Sequence, residues 1–301
     1  MDFYKDICSI VGDEQILTNE PMSRHTTFRI GGPADYFIMP GTAEELAQVI
    51  RLCREADMPF YIMGNGSNLL VGDKGYRGAV IQIFKRMNEV RVQDDCIYAQ
   101  AGALLSKIAA EALKAGLGGF EFASGIPGTL GGALMMNAGA YGGEMKQVLK
   151  SAEVLDMEGN VFSLPVEEME LGYRTSIFSK RGYIVLGAEI VLQPGNPQEI
   201  RDKMEDLKER RVTKQPLEYG SAGSTFKRPE GYFAGKLIQE AGLRGFRVGD
   251  AQVSEKHCGF VINRGNATAA EVVRLMNEVT DRVEKNSGVR LEPEVKRIGE
   301  F

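Results

Sequence analysis

The sequence predicts an α+β fold of two domains, and three observations carry that prediction. Amphipathic segments with helix-capping signatures alternate irregularly with short apolar runs of strand length. The texture changes at Pro194-Gly-Asn-Pro197, where two prolines and a glycine close a strand and open a charged segment. At 301 residues the chain is long enough for two domains of ordinary size. The limits expected are residues 1–195 and 196–301.

Along the chain, Thr42-Ala-Glu-Glu45 reads as a capping box, hydroxyl and carboxylate each satisfying an orphan N–H of the first turn. Leu46, Val49, Ile50 and Cys53 follow at helical spacing. Pro59–Met63 and Ala79–Ile83 read as strands, and Leu105, Ile108, Ala109, Ala112 and Leu113 mark a helix ended by Gly116. Further strands are expected at Ala152–Asp156, Val161–Leu164 and Tyr183–Gln193. Beyond the break come a charged helix over Gln198–Arg211, a short helix over Phe233–Ala241 stopped by Gly242, and a strand over Gly259–Asn263. Thr268-Ala-Ala-Glu271 is a second capping box, opening a helix with Val272, Leu275, Met276, Val279 and Val283 on one face and closing near Gly288. A final strand is expected over Leu291–Ile298.

Apolar residues make up 43% and charged residues 26%, the balance of a folded soluble protein. The formal net charge of -5 argues against a nucleic-acid partner held by bulk electrostatics. No stretch approaches the roughly 18 apolar residues of a membrane span. Met1–Glu14 is polar and mixed, without the basic start and apolar run of a secretory signal, so the expected location is the cytoplasm. Cys8, Cys53, Cys96 and Cys258 stand apart and the histidines are two, His25 and His257, which suits neither a disulfide framework nor a metal centre.

Glycine is the outlier. The chain has 36, above the usual share of about 7%, and ten fall between Gly116 and Gly143. Gly64-Asn65-Gly66-Ser67-Asn68-Leu69 follows directly on a strand. Such a loop turns backbone N–H groups toward one point and makes an anion nest, or it is a plain hairpin. It lacks the Gly-Lys-Ser/Thr of a Walker A loop and the third glycine of the dinucleotide fingerprint. The second loop runs Ser124-Gly125-Ile126-Pro127-Gly128-Thr129-Leu130-Gly131-Gly132 and on through Asn137 and Gly139. Four glycines in eight residues let a main chain lie flat against a planar or charged group, with Ala133–Met136 as an apolar wall; a glycine-rich helix contact is the alternative.

These two loops, some sixty residues apart, resemble the FAD-binding domain of the vanillyl-alcohol-oxidase type. Thr27-Phe-Arg-Ile-Gly-Gly32 adds to the likeness. With Tyr173-Arg-Thr-Ser-Ile-Phe178, Gly223-Ser-Thr-Phe-Lys227 and Leu291-Glu-Pro-Glu-Val295 in that order, nearly the whole chain resembles the UDP-N-acetylenolpyruvoylglucosamine reductases, flavoenzymes of peptidoglycan precursor synthesis. The resemblance implies a two-part FAD-binding domain over 1–195, then a smaller α/β substrate-binding domain over 196–301 whose last strand returns to the active site. It implies non-covalent FAD, NADPH as reducing co-substrate, a UDP-sugar substrate and a monomer.

It also implies roles. Hydride addition to an enolpyruvyl group puts negative charge on the carbon next to a carboxylate, so a cation, a proton donor and help for the enolate are required. Arg174 matches the family's catalytic arginine, whose fork suits a carboxylate. Ser224 matches the proton donor. Glu294 matches the catalytic glutamate; Glu292, two residues away on the expected strand, faces the same side, so spacing does not separate them and the family pattern selects Glu294. Arg211, Lys214, Lys227, Arg228 and Lys236 are candidates for the two phosphates of UDP. Longer members carry a tyrosine-bearing loop after the arginine motif and often an asparagine where Arg228 stands. Ser179-Lys-Arg-Gly182 is too short for that loop, which marks a compact form and leaves Tyr141 as one candidate replacement. Two other readings of the same loops are an oxidase acting on a hydroxy acid or sugar lactone, and a flavin-bearing electron-transfer module.

Overall fold

A computed structural model describes residues 2–301. By internal packing the chain forms two compact units. The first comprises residues 1–17, 37–65 and 79–211, and the second residues 18–36, 66–78 and 212–301. The chain passes between them inside strands Ile16–Pro21, Pro33–Ile38 and Tyr76–Gln82, inside the first glycine loop, and inside helix Pro197–Lys214. The last passage between the units falls after Arg211. Mixed helices and strands give the expected α+β class.

The first unit is built on a five-stranded antiparallel sheet, ordered Val161–Pro165, Leu149–Leu155, Ile184–Val191, Cys96–Gln100, Val90–Gln93. Its central strand Ile184–Val191 is buried along most of its length, which is why it reads as a near-continuous apolar run instead of an alternating one. Helix Leu105–Lys114 turns Leu105, Ile108, Ala109 and Ala112 inward. Strand Phe60–Met63 lies parallel to Ala79–Gln82, in register from Phe60↔Ala79 to Met63↔Gln82, and delivers the chain into the first glycine loop. Helix Ala43–Glu55 starts on half of the expected capping box. Thr42 accepts from the Glu45 amide at 3.1 Å, but the Glu45 carboxylate turns to the Gly41 amide at 2.7 Å and the Gln15 side chain at 3.0 Å. The N-terminus, for which no element is expected, forms helix Phe3–Val11, capped by Asp2, which accepts from the Lys5 amide at 3.3 Å, with Phe3, Ile7 and Val11 at i, i+4 and i+8 buried.

The second unit holds an antiparallel sheet ordered Gly220–Ser224, Phe260–Asn263, Ala251–Val253, Arg247–Val248, with helices Ala234–Glu240 and Ala269–Ser287 packed into the same core. The second capping box is complete: Thr268 accepts from the Glu271 amide and Glu271 accepts from the Thr268 amide, both at 3.1 Å. Asp73 adds an outside cap, its two oxygens accepting from Ala269 and Ala270 at 2.7 and 2.9 Å. A carboxylate there both satisfies orphan N–H groups and complements the helix dipole. The expected strand over Leu291–Ile298 is shorter, Lys296–Ile298, and lies parallel to Leu69–Val71. Pro293 supplies no N–H, and residues 291–295 meet Phe226 through one isolated bridge instead of a ladder.

Among the described residues, no helix is long and apolar enough to cross a membrane, and no group of three or more His, Cys, Asp or Glu side chains could hold a metal ion.

Candidate active site

In the first unit the two glycine loops meet. A Cβ on Gly64 would lie 2.2 Å from Thr129 Oγ1, so glycine at that position is a condition of the contact. Asn65 donates through Nδ2 to the Pro127 carbonyl at 3.1 Å. Thr129 is buried, and helix Leu130–Met135 starts on it. Tyr61, Met63, Gly64, Thr129, Gly131 and Gly132 are among the walls of one cavity of about 250 Å³. Ser124 Oγ donates to the Glu121 carbonyl at 2.8 Å, fixing the entry of the second loop.

Beyond Gly132 the chain makes a hairpin. Gly139–Ala140 pairs with Gly143–Glu144, and Tyr141 and Gly142 form its two-residue tip at φ 54 and 88. Both tip residues with φ > 0 is the type I′ pattern. Tyr141 is thereby held out, 44% exposed, and the Arg211 guanidinium lies 5.7 Å from its ring centroid. Burial pushes Arg211 below its ordinary value while Tyr141 beside it works the other way. Its Nε is the one buried side-chain nitrogen or oxygen without a hydrogen-bond partner among the described residues. A Cβ on Gly125 would sit 2.8 Å from that atom. A buried guanidinium Nε without a partner, packed against a glycine of the second loop, is suited to an anionic group. The largely apolar cavity bounded by Gly64, Thr129, Gly131 and Gly132 is suited to a flat ring. The residues present therefore fit FAD.

Arg174 occupies the third position of a tight turn. Gly172 and Thr175 exchange backbone hydrogen bonds at 3.2 and 3.3 Å, and Arg174 is left-handed at φ 55, its guanidinium 5.1 Å from the Tyr173 ring centroid. A left-handed non-glycine residue costs on the order of 1–2 kcal/mol, so the surroundings hold it there. Two contacts do so. Ser176, fully buried, donates through Oγ to the Met135 carbonyl at 2.8 Å. Asn137 donates through Nδ2 to the Gly172 carbonyl at 3.4 Å and to Glu144 at 3.1 Å, and accepts from the Lys146 amide at 2.9 Å. Every polar atom of the Asn137 amide is thus engaged within the protein, so its place among the cofactor residues rests on its backbone alone.

In the second unit Ser224 ends strand Gly220–Ser224 just past a bulge. Ser221 pairs with Ile262 and Ser224 with Phe260, so two residues, Ala222 and Gly223, oppose Val261. Gly223 takes φ 74, and the bulge re-aims the strand end so that Ser224 is exposed. Thr225 is the opposite: 1% exposed, its amide donating to Gly259 and its Oγ1 accepting from the Val261 amide, both at 2.8 Å. The Glu294 amide donates to the Thr225 carbonyl at 2.8 Å, and Asn68 donates through Nδ2 to the Glu294 carbonyl at 3.3 Å. Asn68, expected at the cofactor, thus has its amide on the segment that bears the glutamate. Gly66 accepts from the Thr27 amide at 3.2 Å, and Ser67 and Leu69 complete the loop.

The expectation that Glu292 and Glu294 share one face of a strand is corrected: residues 291–295 form no strand, and Pro293 separates the two. Glu292 is exposed and ion-paired with Lys227, whereas Glu294 is half-buried. Of the phosphate candidates, Lys227 is therefore engaged, Lys236 faces Glu240 at 3.7 Å on the surface, and Arg228 lies 3.9 Å over the Phe233 ring centroid. Lys214 is exposed at the end of its helix. His257 accepts at Nδ1 from the Gly259 amide at 3.1 Å, and burial lowers its pKa.

Residues 34–165 match the model of an FAD binding domain. The structure of a 4-ethylphenol oxidase from Gulosibacter chungangensis superposes with a TM-score of 0.52 at 15% identity, covering 97% of this chain and 64% of that one, a likeness of fold alone. Loops, fold and family model together define a flavoprotein with an FAD-binding domain. Residues 215–298 match the C-terminal domain of UDP-N-acetylenolpyruvoylglucosamine reductase. The reductase of that name from Clostridioides difficile is 55% identical over 299 residues, 99% of this chain and 98% of that protein. The crystal structure of the same reductase from Thermus caldophilus superposes with a TM-score of 0.80 at 36% identity, covering 94% and 98%. The chain belongs to the UDP-N-acetylenolpyruvoylglucosamine reductase family.

Proposed function

We infer that the chain reduces UDP-N-acetylglucosamine enolpyruvate to UDP-N-acetylmuramate with NADPH, a step of peptidoglycan precursor synthesis, through Arg174, Ser224 and Glu294. When bound, FAD supplies the hydride chemistry between NADPH and the enolpyruvyl double bond. The protein's own task is to hold the substrate carboxylate, manage a proton and stabilise the enolate. Arg174 binds the carboxylate with two N–H donors and stays charged throughout. Ser224 gives its hydroxyl proton to the carbon next to that carboxylate. Glu294 polarises the enol form and supports the proton transfer.

The observation that carries the assignment is the 2.8 Å bond from the Glu294 amide to the Thr225 carbonyl. It keys the glutamate to the residue after Ser224, and the bulge at Gly223 leaves Ser224 exposed while its neighbour Thr225 is buried. Gly64, Asn65, Ser124–Gly132 and Gly139 would hold FAD, and Arg211, which the sequence motifs offered to UDP, is proposed for FAD instead, since its unpartnered Nε beside Gly125 suits a pyrophosphate. Tyr141, Lys214, Arg228 and Lys236 are proposed for the UDP end.

The division into an FAD-binding domain, 1–195, and a substrate-binding domain, 196–301, is supported by family models that match on either side of it. Action as a monomer in the cytoplasm completes the reading, since NADPH is an intracellular reductant; size-exclusion chromatography tests the monomer. The cofactor is tested by absorbance before and after acid precipitation. Non-covalent FAD gives a yellow protein whose colour moves to the supernatant, and colour retained in the pellet contradicts it.

A further inference from the structure

The turn bearing Arg174 is tied on both sides to the end of the second glycine loop. Residues 135–137 continue the second glycine loop, and they reach the arginine turn on both sides of Arg174. Upstream, the Gly172 carbonyl accepts from Asn137 Nδ2; downstream, Ser176 Oγ donates to the Met135 carbonyl. Asn137 is itself left-handed at φ 45 and 2% exposed, with its side-chain oxygen and nitrogen fixed by the Lys146 amide and the Glu144 carboxylate. Ser176 is fully buried and also begins helix Ile177–Arg181, whose Phe178 is fully buried as well. The arginine turn is thus clamped at both ends to a loop end that cannot shift without breaking buried bonds.

The need for a clamp is physical. Arg174 sits in a conformation that an arginine leaves readily, and the Gly172–Thr175 pair closes it with two bonds at the long end of the range. Freed of its anchors, the turn would relax toward φ < 0 and carry the guanidinium with it. A misplacement of about 1 Å at a group that orients substrate can lower rate by about 10²-fold.

We propose that Asn137 and Ser176 are positioning residues for Arg174, holding its turn in the left-handed form in which the guanidinium meets the substrate carboxylate. The proposal rests on the role of Arg174 given above. Neither residue touches substrate, and neither uses its side chain to bind the cofactor.

The test is a double-mutant cycle on reduced holoenzyme, read as the single-turnover rate of flavin reoxidation by UDP-N-acetylglucosamine enolpyruvate. FAD content and the rate of flavin reduction by NADPH are measured on the same preparations. Ser176→Ala and Asn137→Ala are each made alone and on an Arg174→Ala background. Each is expected to slow reoxidation by about 10- to 100-fold in the parent, to keep FAD and NADPH reduction within about twofold, and to add nothing on the Arg174→Ala background. Equal losses in both backgrounds, no loss in the parent, or release of FAD would each overturn the proposal. If Asn137→Ala does not fold, Ser176→Ala decides alone. Arg174→Ala by itself reads the underlying assignment: full reoxidation by that variant refutes the role of Arg174, a result separate from any failure of the clamp.

Discussion

The main-chain amide of Glu294 donates to the carbonyl of Thr225 at 2.8 Å, so the acid and the hydroxyl pair Ser224–Thr225 are fixed within one unit by a backbone bond. The two hydroxyls then divide their work. Thr225 is 1% exposed and accepts a buried amide from Val261, whereas Ser224 is exposed at the end of a bulged strand.

Ser224→Ala should slow substrate-driven flavin reoxidation by roughly 10²–10⁴, the usual worth of a general acid. FAD content and melting temperature should stay near the parent's, because an exposed strand-end hydroxyl contributes little to stability. Ser224→Cys should recover part of the rate, since a thiol also gives up a proton. Reoxidation of Ser224→Ala within about threefold of the parent would falsify the assignment.

Thr225→Ala would look like a natural control for Ser224, but the structure makes it a stability variant. Removing Oγ1 leaves the Val261 amide buried without an acceptor, at about 1–3 kcal/mol. Thermal unfolding should show that loss for Thr225→Ala and little of it for Thr225→Ser, which keeps the acceptor. Equal melting temperatures for Thr225→Ala and the parent would show that Val261 finds another partner.

Much of this was legible in sequence and some was not, for identifiable reasons. The second capping box, Thr268 to Glu271, is fully formed, and the amphipathic helix after it runs to Gly288 as its periodicity indicated. The first box is half-formed because Glu45 finds a nearer donor at Gly41 and a distant one at Gln15, and no local pattern reports Gln15. Residues 18–36 and 66–78 pack with the C-terminal unit, which a linear reading of composition does not see. The candidate catalytic residues were legible only through family motifs; as isolated types Arg174 and Ser224 resemble surface residues. The side-chain ties of Asn68 and Asn137 had no sequence signal, since an asparagine in a glycine-rich loop reads as a turn former. Ser176 did have one: a serine ahead of Ile177-Phe178 is a helix N-cap signature.

Gly64→Ala tests the meeting of the two loops. The added Cβ would lie 2.2 Å from Thr129 Oγ1, and Thr129 is buried, so the loops must part. Overpacking of this kind costs about 1–3 kcal/mol, and where FAD binding has to bring the loops back together that cost appears as a fall in affinity of roughly 5- to 150-fold. Flavin titration of the apoprotein measures it, with circular dichroism as the control for folding. Unchanged affinity would place FAD away from these loops.

Arg174→Gly separates stability from function. Glycine adopts φ 55 freely, so the melting temperature should hold or rise by the equivalent of up to about 1 kcal/mol, although glycine's greater freedom when unfolded offsets part of the gain. Substrate-driven reoxidation should collapse in the same protein. A clear loss of stability instead would mean that the Arg174 side chain supports the fold.

His257 gives stability a pH dependence of known sign. Burial holds its folded-state pKa below the ordinary 6.5, so below that pH the unfolded chain takes up the proton more readily. The contribution is intact above the ordinary value and declines as pH falls toward the lowered one. Between about pH 7.5 and 5.5 the parent's melting temperature should therefore fall more steeply than that of His257→Gln, which lacks the titration. Parallel curves for the two proteins would assign the acid sensitivity to other groups.

On the proposed function this chain passes electrons from NADPH through bound flavin to an enolpyruvyl sugar nucleotide. The most direct measurement is anaerobic: bleach the holoenzyme with one equivalent of NADPH, then add UDP-N-acetylglucosamine enolpyruvate and follow the yellow absorbance. The expected result is rapid return of the oxidised spectrum with formation of UDP-N-acetylmuramate. A flavin that stays bleached with that substrate and reoxidises only when oxygen is admitted would contradict it.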